Sequence, residues 1–123
     1  MIPFAAIALA SCAAPPPTDA PDPAFQAELA GRAAGPPQSC VAAQTGDAPR
    51  VIDGHTLAYG SGRTIYVNRL PAECPGLRPL ETLVIEVNGG NFCRGDRFRT
   101  VEPGSIIPGP TCLLSDWVPY RRP

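Results

Sequence analysis

The sequence contains no lysine and only one histidine, and all ten of its basic side chains are arginines. Without lysine there can be no phosphate-binding loop of the lysine-dependent kind, and we interpret Gly60-Ser61-Gly62 as a hairpin turn. The single histidine, His55, shows no spacing signature for acid–base catalysis. We therefore interpret His55 as a surface side chain and Asp96 as a turn residue. The net charge of -1 argues against a nucleic-acid partner.

The sequence also lacks a hydrophobic run long enough to cross a bilayer. The uncharged stretch from Ile2 to Leu9 is far shorter than the about 20 residues of a transmembrane helix, but it fits the about 7 to 15 residues of a secretion signal. It carries no lysine or arginine at its start, which departs from the usual signal. Its length predicts a signal for export. The alternative is that residues 1–11 are a hydrophobic tail on a soluble domain.

The apolar run ends in Leu9-Ala10-Ser11-Cys12, which resembles the lipobox of bacterial lipoproteins. The resemblance implies a signal peptide over residues 1–11, cleavage before Cys12, and acylation of both its thiol and the new amino terminus. Stable anchoring takes two lipid chains or more, and a triacylated Cys12 meets that condition. The predicted location is the cell envelope, on the periplasmic face of the outer membrane. In the alternative reading Cys12 is an incidental thiol.

Prolines dominate the stretch that follows Cys12. Pro15-Pro16-Pro17 and Pro21-Asp22-Pro23 leave almost no side chain able to form a core. Such a segment favours an extended polyproline spacer of about 3.1 Å per residue. We therefore assign residues 12–39 to a lipidated cysteine, a tether and one short helix.

The short helix is predicted over residues 23–32. Asp22 is the candidate cap, proline suits the first helical position, and a glycine follows the end. Phe25 and Leu29 give it a thin apolar stripe, so we expect a helix of marginal stability. Residues 33–39 are predicted to be a second linker.

Four cysteines remain after Cys12: Cys40, Cys74, Cys93 and Cys112. An even set in an exported chain predicts two disulfides, and domains of this size are often stabilised by them. Three pairings are open, and we favour Cys74 with Cys93 and Cys40 with Cys112. A zinc site is the alternative, but no two of these cysteines form the close pair typical of structural zinc.

The sequence of residues 40–123 predicts short strands separated by glycine and proline turns. The predicted strands are 50–53, 56–59, 64–68, 81–87, 92–101 and 111–117. Asn88-Gly89-Gly90-Asn91 predicts a hairpin between the fourth and fifth of them, and Arg94-Gly95-Asp96 predicts a bend. We therefore expect a mainly β domain, a small disulfide-stapled barrel or curled antiparallel sheet.

A series of short motifs runs through this domain. In order they are Asn68-Arg69-Leu70-Pro71, Cys74-Pro75-Gly76-Leu77, Cys93-Arg94-Gly95-Asp96, Thr111-Cys112-Leu113-Leu114 and Trp117-Val118-Pro119. The series resembles that of a family of small uncharacterised proteobacterial envelope lipoproteins. The resemblance implies a disulfide-bearing β domain in the envelope and transfers no catalytic residue.

Three arginines lie close together in the fifth predicted strand. Strand alternation places Arg97 and Arg99 on one face, with Arg94 at the preceding bend. Guanidinium groups bind carboxylates and phosphates in bidentate geometry, so these arginines are candidate binding residues for an acidic protein surface or an anionic lipid. The alternative is an exposed sheet face solvated by arginine.

Together these features predict a lipid-anchored envelope protein with a structural or binding role. The expected partners are the membrane, through lipid on Cys12, and an envelope protein or anionic lipid. We expect no enzymatic activity, no cofactor and no metal. A second hypothesis is an inhibitor of an envelope-targeting enzyme such as lysozyme, and a third is an enzyme that would pair His55 with Asp96 or Glu73.

Overall fold

The computed structural model describes Pro3 and residues 22–44, 47–87 and 89–123. The predicted anchor at Cys12 lies outside these residues, as do the signal peptide apart from Pro3 and the tether up to residue 21. Within the described residues, no helix combines the length and hydropathy needed to cross a bilayer.

The described part of the chain forms one helix and ten strands. They are α1 (Pro23–Leu29), β1 (Ala33–Ala34), β2 (Cys40–Ala42), β3 (Arg50–Asp53), β4 (Thr56–Tyr59), β5 (Thr64–Arg69), β6 (Thr82–Ile85), β7 (Asn91–Cys93), β8 (Arg97–Val101), β9 (Cys112–Leu113) and β10 (Trp117–Arg121). The mainly β prediction is confirmed.

The strands form three antiparallel sheets with the orders β1-β10-β5-β4-β3, β2-β7 and β6-β8-β9. None of these described sheets closes on itself, so of the two predicted forms the open antiparallel sheet is the one observed and the barrel is not. Strand β3 pairs with β4 and β4 with β5 as successive hairpins, which confirms the turns predicted from the glycines between them.

The five-stranded sheet is buried on both faces. On one face Phe25 of α1 packs against Ala58, Ile65 and Val67. On the other face the two small sheets contribute to a larger core around Trp117, which is fully buried. The opposite directions of neighbouring side chains along β4 and β5 allow one sheet to serve two cores.

Helix α1 is shorter than predicted, and it belongs to the folded domain. Asp22 stands at the predicted N-cap position, but its side chain makes no capping hydrogen bond. Residues 33–39 were predicted to be a linker, but β1 pairs with β10 there. Burial of Phe25 against the sheet stabilises the helix, because an isolated helix of seven residues is not stable in water without such packing. Residues 23–39 therefore pack as part of the same domain as residues 40–123.

The four cysteines form two disulfides, as predicted, but the favoured pairing is wrong. The bonds are Cys40–Cys93 and Cys74–Cys112. The error comes from the predicted hairpin. Strand β6 pairs with β8, while β7 pairs with β2, so that Cys93 lies directly opposite Cys40.

The bounds of the last predicted strand, residues 111–117, are wrong, because the structure has β9 at Cys112–Leu113 and β10 at Trp117–Arg121. Pro119 lies inside β10. The backbone of Gly35 donates a hydrogen bond of 2.8 Å to the Pro119 carbonyl. In an antiparallel ladder the N–H and C=O of one residue point to the same side. The missing proline N–H therefore faces the side of the two-residue edge strand β1, and the ladder with β5 is left intact.

Candidate functional site

Asn68, from the first of the sequence motifs, links two segments of the chain through side-chain hydrogen bonds to Ser115, and we call this link the Asn68 latch. Its side chain is fully buried (0% exposed), donates from Nδ2 to the Ser115 carbonyl at 2.7 Å and accepts from the Ser115 N–H at 2.9 Å. Leu70 follows in the core, and its N–H donates to the His55 carbonyl. The motif therefore ties the end of β5 to the segment that leads into β10.

The Arg94-Gly95-Asp96 segment is the predicted bend between strands. The Asp96 carboxylate accepts a hydrogen bond from the Cys93 N–H at 2.8 Å, and Gly95 has a φ of 85°. Arg94 extends towards Asp116, with 3.5 Å between the guanidinium and the carboxylate. Arg94 is thereby engaged by a carboxylate within the domain.

His55 lies in the turn between β3 and β4. Its backbone N–H donates to the Asp53 carboxylate at 2.8 Å. An open cleft of about 240 Å³ borders this turn, lined by Asp53, His55, Thr56 and Arg69. Asp96 lies in a different turn, where its carboxylate accepts a hydrogen bond from the Cys93 N–H.

Glu73 is the carboxylate that the fold brings to the His55 turn. Glu73 Oε1 lies 3.8 Å from the position that a side-chain Cβ would occupy at Gly54, the residue before His55. The backbone holds the two segments together, because the Cys74 N–H donates to the Gly54 carbonyl at 3.1 Å. Among the described residues, no group of three or more histidine, cysteine, aspartate or glutamate side chains is arranged to hold a metal ion. The four domain cysteines are occupied in disulfides, which removes the zinc alternative for those thiols.

Arg97 and Arg99 lie side by side on the outer surface of β8, as alternation predicts. Both are exposed, while Phe98 between them is buried in the core. Arg99 Nε donates to Thr111 Oγ1 at 3.2 Å, which orients that guanidinium. The backbone of Glu86 donates to the Arg97 carbonyl at 2.9 Å and sets Glu86 beside Arg97.

Exposed aliphatic side chains flank the two arginines. Val84 of β6 is opposite Arg99, and Leu113 of β9 is opposite Arg97. A shallow groove of about 150 Å³ runs between β6 and β8 along this surface. We call the surface formed by Val84, Glu86, Arg97, Arg99 and Leu113 the arginine face.

Within the described residues, every large hydrophobic side chain that is exposed belongs to the β6-β8-β9 sheet or its adjoining loops. They are Leu80, Val84, Val87, Ile106, Ile107 and Leu113. Leu80, Ile106 and Ile107 lie in the two loops at one end of that sheet, and we call this group the apolar tip. Sequence reasoning missed the tip, although an Ile-Ile pair set among glycine, serine and proline is a detectable signal.

Searches of protein-family models, curated proteins and solved structures found no significant match to this chain. The arginine face and the apolar tip are therefore assigned from the geometry of the chain itself.

Proposed function

We propose that this chain is a lipid-anchored protein of the bacterial envelope, and that its arginine face binds an acidic surface of another envelope protein. The observation that carries the proposal is the placement of Arg97 and Arg99 between two exposed aliphatic side chains on one open sheet. The five-stranded sheet offers no comparable face, because its two faces are covered by α1 and by the larger core.

The chemistry of the face suits a protein partner. Protein interfaces are enriched in arginine and apolar side chains, and a guanidinium binds a carboxylate with two hydrogen bonds. Arg99 is already oriented by Thr111, so less side-chain freedom is lost when a carboxylate binds. Glu86 beside Arg97 disfavours a second carboxylate at that position, which gives the face selectivity as well as attraction.

Three features support the envelope location. The Leu9-Ala10-Ser11-Cys12 sequence supplies the candidate lipid site, and the prolines after it supply a spacer. The two disulfides are of the kind that persists in an oxidising compartment. The motif series adds its similarity to a family of small uncharacterised envelope lipoproteins.

The anchor and the binding face have separate tests. Intact-mass measurement of the protein extracted from membranes should show a chain that begins at Cys12 and carries a diacylglycerol and an acyl group. An unmodified chain that still begins at Met1 would remove the anchor from the proposal.

The binding face is tested with a photo-crosslinking residue at Val84, introduced into the lipidated protein in intact cells. A specific protein adduct should form, and it should weaken at least tenfold in Arg97→Glu/Arg99→Glu. The matched control is Arg121→Glu/Arg122→Glu, which reverses two exposed arginines at the end of β10. Equal loss in both variants, or adducts with lipid alone, would refute the proposed protein contact. A lysozyme adduct would support the inhibitor hypothesis instead.

A further inference from the structure

The apolar tip combines very high exposure with a constrained backbone. The exposed fractions are 92% for Leu80, 95% for Ile106 and 76% for Ile107. Leu80 also has a φ of 73°, the only positive value at a non-glycine residue in the described part of the chain. A leucine side chain is rarely held in this region, so the loop presents it outward against a local backbone preference.

Strand pairing brings the two loops of the tip to the same end of the sheet. Thr82, at the start of β6, pairs with Val101, at the end of β8. Leu80 just precedes the first residue, and the loop with Ile106 and Ile107 follows the second. A cleft of about 310 Å³ lies between the loops, with Glu81 and Ile107 on its wall.

The loop that carries the two isoleucines is braced by its own hydrogen bonds. Ser105 N–H donates to the Glu102 carbonyl at 3.0 Å, and Ile107 N–H donates to Ser105 Oγ at 3.2 Å. Gly109 N–H then donates to the Thr100 carbonyl at 2.8 Å. Because the loop is already ordered, little conformational freedom is lost when its apolar side chains enter another medium.

We propose that the apolar tip inserts into the surface of the lipid bilayer to which the chain is anchored. The inference rests on the proposed anchor at Cys12, because residues 12–21 lie between that anchor and the domain. The prolines of this segment predict an extended form, which at about 3.1 Å per residue would span roughly 30 Å. A domain of about 100 residues has a radius of gyration of about 13 Å, so the reach of the tether is comparable with the size of the domain. The domain can therefore turn its tip towards the lipid and cannot move far from it.

The charges around the tip favour apolar insertion over attraction to anionic lipid. Exposed Arg78 precedes the tip in the first loop, while Glu81 and Glu102 border the cleft. This mixed set gives no net positive field at the tip, so binding should depend weakly on salt and on lipid charge. The arginine face lies on the broad outer surface of the same sheet and is left open to a protein partner.

The test uses the mature chain, residues 12–123, carrying Cys12→Ser so that no lipid is attached. Binding is measured by flotation with phosphatidylcholine vesicles and with phosphatidylethanolamine–phosphatidylglycerol vesicles, at low and high salt. We expect similar binding to both, and a loss of at least tenfold in Ile106→Ser/Ile107→Ser. The matched control, Val87→Ser, removes an exposed aliphatic side chain from the other end of β6 and should change binding less than twofold.

A second variant separates insertion from folding. Leu80→Asn places a residue that tolerates positive φ at the constrained position, so it should fold at least as well while binding vesicles several-fold more weakly. The proposal is overturned by absent vesicle binding, by equal binding of the Ile106→Ser/Ile107→Ser chain, or by binding to anionic vesicles alone that high salt abolishes. None of these outcomes alters the mass of the anchor or the Val84 crosslink, so a failure here is distinct from a failure of the proposed function.

Discussion

Replacing Asn68 by alanine should lower the free energy of unfolding, because its buried side chain bonds two backbone groups of Ser115. The fully buried amide satisfies both the N–H and the C=O of Ser115. A buried backbone group left without a partner costs about 1 to 3 kcal/mol. Ser115 is partly exposed, so water can replace some of the lost bonding. We therefore expect a loss of about 3 kcal/mol in the free energy of unfolding, in the lower half of the about 2 to 6 kcal/mol that two such groups would cost.

Urea denaturation of the disulfide-intact protein measures this loss directly. Trp117 is the single tryptophan and is fully buried, so its fluorescence reports the opening of the core next to Ser115. With a slope of about 1 to 2 kcal/mol per molar urea, a loss of 3 kcal/mol lowers the midpoint by about 2 M. Asn68→Asp keeps the side-chain volume but sets a carboxylate oxygen against the Ser115 carbonyl, and it should be destabilised to a similar degree.

Ser115→Ala is the matched control. It removes the hydroxyl bond to the Arg69 carbonyl but keeps the backbone groups that Asn68 binds. That change should cost about 1 kcal/mol or less, as a partly exposed neutral hydrogen bond does. If Asn68→Ala loses no more stability than Ser115→Ala, the latch interpretation is wrong.

Two further predictions concern the staples and the turns. Peptide mapping of the unreduced protein should return a Cys74–Cys112 peptide, and a Cys74–Cys93 peptide would contradict the fold. Loss of the Cys74–Cys112 bond should lower the free energy of unfolding by about 4 kcal/mol, as the chain-entropy model gives for a separation of 38 residues. Gly60→Ala should lower the free energy of unfolding by about 2 kcal/mol, because a Cβ there combines a φ of 95° with an approach of 3.0 Å to a backbone oxygen. Gly62→Ala, also at positive φ but with open space around the Cβ, should lower the free energy of unfolding by about 1 kcal/mol. If thermal unfolding shows equal losses for the two variants, the close approach at Gly60 contributes nothing to the cost.

The strands best predicted from the sequence were those whose partners follow at once along the chain. The limits of β3 and β4 agree with the prediction, because a short turn and side-chain alternation are local signals. The predicted strand over residues 92–101 is instead two strands in two sheets, divided at the Arg94-Gly95-Asp96 bend. Strand β10 escaped prediction because Pro119 counts against a strand unless its missing N–H is known to face an edge.

The candidate site was predicted only in part, for a related reason. Alternation along β8 placed Arg97 and Arg99 on one face without any knowledge of the fold. The engagement of Arg94 by Asp116 depends on a contact between distant parts of the chain. The apolar tip likewise exists because pairing of β6 with β8 brings two separate loops together.

The sequence by itself determined the features that neighbouring residues control: the short strands, the glycine turns, the outward direction of two arginines and an even set of domain cysteines. It also carries the Leu9-Ala10-Ser11-Cys12 signal, whose lipidation stays a prediction. Tertiary structure alone decided which cysteines pair, that residues 23–39 belong to the domain, and where exposed apolar side chains collect. The physical reason is that these outcomes depend on the order in which strands join the sheets, and composition and spacing do not encode that order.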